Sequence, residues 1–329
     1  MGRPRVFVPN SIPRQVVDFL MQQCNLDYLD TEDVISREVL YEHLPEAEGL
    51  ICYSRIKIDR ELLDHAPRLR VVSNIAVGYD NFDLHTMNER KILGTNTPEV
   101  LTETTADLAF ALLMAAARRI PEADRHVKEG RWKGWYPSLM VGKDVWGSTL
   151  GIVGMGRIGE AVARRARGFD MQVLYHNRRP NPDANAKLGA KYVGLDELMR
   201  ASDYVLVLTP LTPETTQLIG AKELSLMKPD AFFINAARGK VVDEAALVEV
   251  LTSGKIAGAG LDVYEQEPVS LDNPLLHMDN VVTLPHIGSA TGVTRLKMAQ
   301  KAADNLVAAL SGQVPENLVN PESVEDTRP

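Results

Sequence analysis

The stretch Gly151 to Glu160, GIVGMGRIGE, constrains this chain more than any other. The apolar run Thr149-Leu150-Gly151-Ile152-Val153 leads into Gly154-x-Gly156-x-x-Gly159, and Ala161, Val162 and Ala163 follow at helical density. This is a strand, a tight turn and a helix start. Gly154 turns the chain where a Cβ would clash, Gly156 lets a pyrophosphate approach the backbone, and Gly159 lets helix pack closely on strand. The N–H groups and positive end of the new helix then face the phosphates. The spacing alone arises by chance in glycine-rich turns. A strand before it, a helix after it and a second strand, MQVLYH, ending about 20 residues on make it a dinucleotide site.

A chain of 329 residues predicts two domains, each with a sizeable core. Thirty-six basic against 44 acidic side chains give a net charge of −8, and no basic block points to nucleic acid as a partner. The two cysteines, Cys24 and Cys52, are too few for a disulfide framework or a metal cluster, and read as reduced, buried thiols. Arg3-Pro4-Arg5 passes into the strand VFVP without a signal-peptide core, Gly2 lacks the myristoylation pattern, and no run of 18 apolar residues occurs. The expectation is a soluble, cytoplasmic protein with no metal and no membrane partner.

Residues 5 to 96 alternate strand and helix patterns: RVFVP, Arg14 to Cys24, LDYLD, Arg37 to Leu44, GLICYS, Arg60 to His65, LRVVSNI, Asp83 to Arg90 and ILGTN. Such alternation means a parallel sheet covered on both faces, with ligands beyond the carboxyl ends of its strands. Two of those ends stand out, Tyr53-Ser54-Arg55 and Ile75 to Asp80. In the second, Gly78 sits where backbone N–H groups cup an anion such as a carboxylate, or simply where a glycine turn is needed. From Leu101 to Arg119 the chain reads as one long apolar helix, capped by Thr102, stopped by Pro121 and buried between the domains. An irregular excursion follows, with all three tryptophans, Trp132, Trp135 and Trp146. Aromatics so placed cover a partner subunit or pack within the chain; the first is the expectation, and with it a homodimer.

Residues 149 to 284 offer six strands, TLGIV, MQVLYH, DYVLVL, AFFINA, IAGAGLDV and NVVTL, with helices at Ile158 to Arg167, Leu195 to Ala201, Lys222 to Met227 and Glu244 to Leu251. The helical segment Gly292 to Leu310 then returns to the first domain. The expected architecture is α/β, with two doubly wound parallel-sheet domains. A Rossmann domain at 101–290, with a dimerisation excursion at 120–147, is inserted into a flavodoxin-like substrate domain at 1–100 and 291–329.

The segments VGYDN, GMGRIG, INAARGKVVDEAAL, AGLDVYEQEP and PHIGSAT, in that order, closely resemble the D-isomer-specific 2-hydroxyacid dehydrogenases. Within that family the chain is most similar to the glyoxylate and hydroxypyruvate reductases, which include 2-ketogluconate reductases. The resemblance implies a substrate-binding arginine at Arg238 and an acid-base pair at Glu267 and His286. The residue chemistry agrees: a guanidinium grips a carboxylate and a keto oxygen in a planar fork, and a carboxylate beside an imidazole favours its protonated form. The resemblance also places the cofactor on Gly154, Met155, Gly156, Arg157, Ile158, Gly159, Asn177, Arg178, Arg179, Thr209, Pro210, Ala236, Ala237, Asp262 and Gly288, and the substrate on Ser54, Val77, Gly78 and Arg238. Asp262 would face the nicotinamide carboxamide, with helix capping as the alternative. The other histidines, His43, His65, His126 and His277, fit no pattern and read as surface residues.

NAD enzymes place an acid at the end of the second strand to hold the ribose hydroxyls, whereas NADP enzymes replace it with arginine for the 2′-phosphate. Here MQVLYH is followed by Asn177-Arg178-Arg179. NADP(H) is the expected cofactor, with NAD(H) the alternative if these are only a solvated basic turn. The expected reaction is NADPH-dependent reduction of small 2-keto acids such as glyoxylate and hydroxypyruvate. The rivals are a 2-ketogluconate reductase and, from another class, a dinucleotide-sensing protein like the C-terminal-binding corepressors.

Overall fold

The computed structural model describes residues 2–325 and divides into two compact units. One is built from both ends of the chain, Met1–Leu101 with Ala290–Pro329, and the other from Thr102–Ser289. The first carries β1 (Arg5–Val8), β2 (Asn25–Tyr28), β3 (Gly49–Cys52), β4 (Val71–Asn74) and β5 (Leu93–Thr95). They pair in parallel in the order β2-β1-β3-β4-β5, the flavodoxin-like winding. Every residue of β3 and β4 is buried, as strands covered on both faces must be. Phe7, Leu50, Cys52 and Val72 face a core with Leu40, Leu62, Leu63 and Met87. Across the sheet, the helix Gly292–Leu310 packs on β3, β4 and β5 and on the helix Arg14–Gln23. Both cysteines are buried, and burial pushes the Cys24 thiol up to about 11 and that of Cys52 to about 12.

The second unit holds β6 (Thr149–Val153), β7 (Gln172–His176), β8 (Lys191–Tyr192), β9 (Tyr204–Val207), β10 (Phe232–Asn235), β11 (Gly258–Leu261) and β12 (Val281–Thr283). Its sheet is parallel and ordered β12-β11-β10-β9-β6-β7-β8, so the winding reverses between β6 and β9. Side chains alternate across it. Tyr204 and Leu206 enter a core with Ala109, Leu113 and Ala161, whereas Val205 and Val207 enter one with Leu198, Leu224 and Leu247. That is the doubly wound dinucleotide fold, and it sets the carboxyl ends of β6, β7 and β9 around one crevice.

The structure corrects several of the sequence expectations. A seventh strand, β8, pairs with β7 at Leu174 and Tyr175; two residues are too few to show a period. The helix Pro182–Leu188 is a further addition, because Asn-Pro reads as a turn, yet Asn181 caps it by accepting from the Ala184 N–H. The long helix ends at Ala117, not Arg119, and Thr102 is its first residue rather than its cap. Arg119 breaks the chain at a φ of 53°, and Pro121 stops nothing: it sits in the first turn of a new helix, Ile120–Lys128, where its missing N–H costs little. The first part of the supposedly irregular excursion is therefore helical. The helix Thr102–Ala117 packs on the helix Arg157–Arg167 and on β10, β11 and β12.

Candidate functional site

The three glycines after β6 are there for different reasons. Gly154 has a φ of +108°, and a Cβ on it would stand 2.8 Å from the Leu208–Thr209 backbone; one on Gly159 would stand 2.5 Å from the Gly154 carbonyl oxygen. Packing within the chain explains both. A Cβ on Gly156 would meet nothing within 4 Å, so the chain itself does not require glycine there. Gly156 is also the N-cap of the helix Arg157–Arg167, and no side chain caps that helix. Open space over uncapped N–H groups at a positive helix end suits a pyrophosphate.

The loops on either side of this turn are pinned. After β7, Asn177 Oδ1 accepts the Met155 N–H at 2.6 Å and its Nδ2 donates to the Met155 carbonyl at 3.2 Å, so the side chain staples the glycine turn. Arg178 and Arg179 follow, both exposed. After β9, Thr209 Oγ1 donates to the Val153 carbonyl at 3.0 Å, and Thr215 donates to that of Pro210 at 2.6 Å. Glu214 lies on the same loop, where the Thr212 hydroxyl and, further off, the Arg178 guanidinium hold its carboxyl below the usual range.

Arg238, Glu267 and His286 follow β10, β11 and β12 in turn. Buried Asn235 shapes the first turn, accepting from the Ala237 N–H at 3.0 Å and donating to the Arg238 carbonyl at 3.0 Å, while the Ala236 N–H reaches the Val207 carbonyl. Gly239 lets this turn lie directly on the chain after β11, because a Cβ would stand 1.8 Å from the Tyr264 carbonyl carbon. Arg238 is half-buried, with Nη1 on the Ala237 carbonyl at 2.9 Å. Glu267 Oε1 accepts the Tyr264 N–H at 3.0 Å, and its Oε2 lies 2.7 Å from His286 Nδ1. Burial pushes the Glu267 carboxyl up, but the hydrogen bond and charge of His286, the Tyr264 amide and Arg238 outweigh it and hold it below the usual range. A carboxylate on Nδ1 leaves Nε2 for proton exchange.

Buried Asp262 is not a helix cap: its two oxygens accept the Ile287 and Gly288 N–H groups, each at 2.8 Å. Burial raises its carboxyl above the usual range despite those amides and the His286 charge. Asn235, Gly239 and Tyr264 were missed by sequence reasoning. Gly239, next to Arg238, hinted at a close approach, but Asn235 and Tyr264 act mainly on backbone groups that no side-chain pattern reveals. Tyr264 also donates from its hydroxyl to the Leu284 carbonyl at 3.0 Å, just ahead of His286.

In the first unit, the carbonyls of Val77 and Gly78 are turned inward, held by Asn96 at 2.8 Å and by Asn74 at 2.9 Å. Among the described residues their N–H groups donate to no backbone acceptor, which suits an anion. Ser54 is half-buried just beyond β3. Two of the supposed surface histidines are not: His43 is half-buried, stacked on Phe7 at 4.7 Å and 2.9 Å from Asp27, and both ring nitrogens of half-buried His126 are shielded. His65 and His277 are exposed.

A family model described as the NAD-binding domain of D-isomer specific 2-hydroxyacid dehydrogenases matches residues 110–288. The chain belongs to that family. As one of these dehydrogenases it carries an NAD(P)-binding domain and is an oxidoreductase. It is 50% identical over 324 residues to a glyoxylate reductase of Korarchaeum cryptofilum, covering 98% of each chain. A protein of Thermus thermophilus superposes with a TM-score of 0.89 at 44% identity, over 96% of this chain and 99% of that one. The NADPH-dependent glyoxylate/hydroxypyruvate reductase of Sinorhizobium meliloti, solved with NADP and malonate, gives a TM-score of 0.85 at 36% identity over 98% of both chains. Among the described residues, no helix of this dehydrogenase is long and apolar enough to cross a membrane.

Proposed function

We propose that this dehydrogenase reduces glyoxylate and hydroxypyruvate to 2-hydroxy acids, with NADPH as the preferred cofactor. The observation that carries the reading is the 2.7 Å contact of Glu267 with His286 Nδ1, with the Arg238 charge acting on the same carboxylate. The names of the full-length relatives support it over a 2-ketogluconate reductase or a corepressor-like sensor.

Arg238 grips the substrate carboxylate and keto oxygen in its planar fork, and Ser54 with the Val77 and Gly78 amides serves the carboxylate. His286 delivers a proton from Nε2 to the developing alkoxide, and Glu267 stabilises the imidazolium before that transfer. NADPH, when bound, supplies the hydride. The amides around Gly156 and the start of the helix Arg157–Arg167 hold its pyrophosphate, and Arg178 and Arg179 take the 2′-phosphate.

The protein acts as a cytoplasmic homodimer. Trp132, Trp135 and Trp146, exposed at 56%, 82% and 71%, supply the aromatic patch that a two-fold partner covers. A steady-state panel of glyoxylate, hydroxypyruvate, pyruvate and 2-ketogluconate with both cofactors tests the reaction. Fastest turnover is expected with glyoxylate or hydroxypyruvate and NADPH. No turnover with any of the four would favour a sensor, and a clear preference for 2-ketogluconate would favour the sugar-acid reductase.

A further inference from the structure

His286 stands in an unusual backbone conformation. Its φ is +55°, in the left-handed region where a side chain crowds the backbone, so surrounding contacts must hold it there. Glu267 holds the ring through Nδ1 at 2.7 Å, which fixes the imidazole but not the chain it hangs from. The next two residues supply that second attachment. The consecutive N–H groups of Ile287 and Gly288 point at Asp262 Oδ1 and Oδ2, each at 2.8 Å.

Asp262 is 1% exposed, just past the carboxyl end of β11, and its raised carboxyl is answered by two backbone amides rather than by a lysine or arginine at its oxygens. A buried carboxylate needs such compensation, and two amide donors provide it. Gly288 belongs to the same device, because a Cβ there would press to 3.3 Å from Asp262 Oδ2 and to 3.3 Å from Thr105 Cγ2.

We propose that Asp262 is a positioning residue: its carboxylate clasps the Ile287 and Gly288 amides and so fixes the left-handed backbone from which His286 projects. The role differs from a contact with the nicotinamide carboxamide, because Asp262 acts through the loop and not on the cofactor. It rests on the proposed reaction, in which His286 is the proton donor. Asparagine offers one acceptor and one donor where the loop presents two donors. Asp262→Asn therefore breaks one arm of the clasp while keeping the side-chain shape.

The test compares wild type with Asp262→Asn in three measurements: kcat and KM for glyoxylate, NADPH affinity by fluorescence titration, and hydrogen exchange at individual amides. Wild-type turnover checks the proposed reaction by itself; the exchange measurement needs no turnover. For Asp262→Asn, kcat is expected to fall about tenfold or more and NADPH affinity to stay within about twofold. Exchange at Ile287 and Gly288 should rise while that at Ile152 in β6 stays unchanged. NADPH affinity falling in step with kcat would overturn the proposal in favour of a cofactor contact. Unchanged exchange at the two amides, or unchanged kcat, would overturn it outright. If Asp262→Asn does not fold, Gly288→Ala decides: it should give faster exchange at 287–288 and a lower kcat, and wild-type exchange there would refute the clasp.

Discussion

Replacing Arg178 and Arg179 with serine is predicted to weaken NADPH binding and leave NADH binding nearly unchanged, since only NADPH carries the 2′-phosphate. A charge-assisted hydrogen bond contributes about 1.5 to 3 kcal/mol. Both arginines reach solvent, so screening puts each at the lower end, roughly tenfold in affinity apiece and about a hundredfold together. Fluorescence titration of both cofactors at about 0.1 and 1 M salt measures this, and the higher salt should shrink the NADPH difference. Asn177→Asp tests the same edge. It keeps the acceptor for the Met155 N–H but replaces the donor that lies 3.2 Å from the Met155 carbonyl with an oxygen. Its gain in NADH use should therefore come with a lower Tm. Equal losses of NADPH and NADH in the double serine variant would refute the reasoning and assign the pair to the fold.

Glu267→Gln should lower kcat/KM about 10- to 50-fold with NADPH affinity unchanged, because a neutral amide cannot stabilise an imidazolium as a carboxylate does; near-normal steady-state rates would show that the pair is not the proton relay. Asp203 should matter for stability: it accepts from Lys143 and Lys228 at 3.0 Å and from the Thr149 N–H at 2.9 Å. Burial raises its carboxyl, but the Thr149 amide, Lys228 and Lys143 outweigh that and hold it below the usual range. A folded value below the unfolded one, about 3.9, means stability present above that pH and lost as pH falls through the folded value. Asp203→Asn should thus lower Tm by a few degrees at pH 7, about 1 to 2 kcal/mol, and scanning calorimetry should find the gap closing below about pH 3.9; a pH-independent gap would exclude the ionic account. Light scattering at micromolar concentration should find the wild-type chain as a dimer and Trp135→Glu shifted toward monomer, and a wild-type monomer would refute the interface.

Local order along the chain was legible in the sequence. The glycine turn, every strand but β8 and the positions of Arg238, Glu267 and His286 after strand ends follow from periodicity, turn chemistry and motif order, which depend on neighbours a few residues away. β8 escaped because it has two residues and exists only by pairing with β7. The break at Arg119 escaped because a proline in the first turn of a helix looks, in sequence, like the end of the one before. Only the tertiary structure decided that Glu267 reaches His286 across 19 residues, that Gly239 lies against Tyr264, and that Asp262 holds the amides of Ile287 and Gly288. These contacts join the ends of adjacent parallel strands, and two of the three use backbone atoms, which every residue carries. A string of side chains therefore leaves no mark of them, and the sheet that sets β10, β11 and β12 side by side creates them.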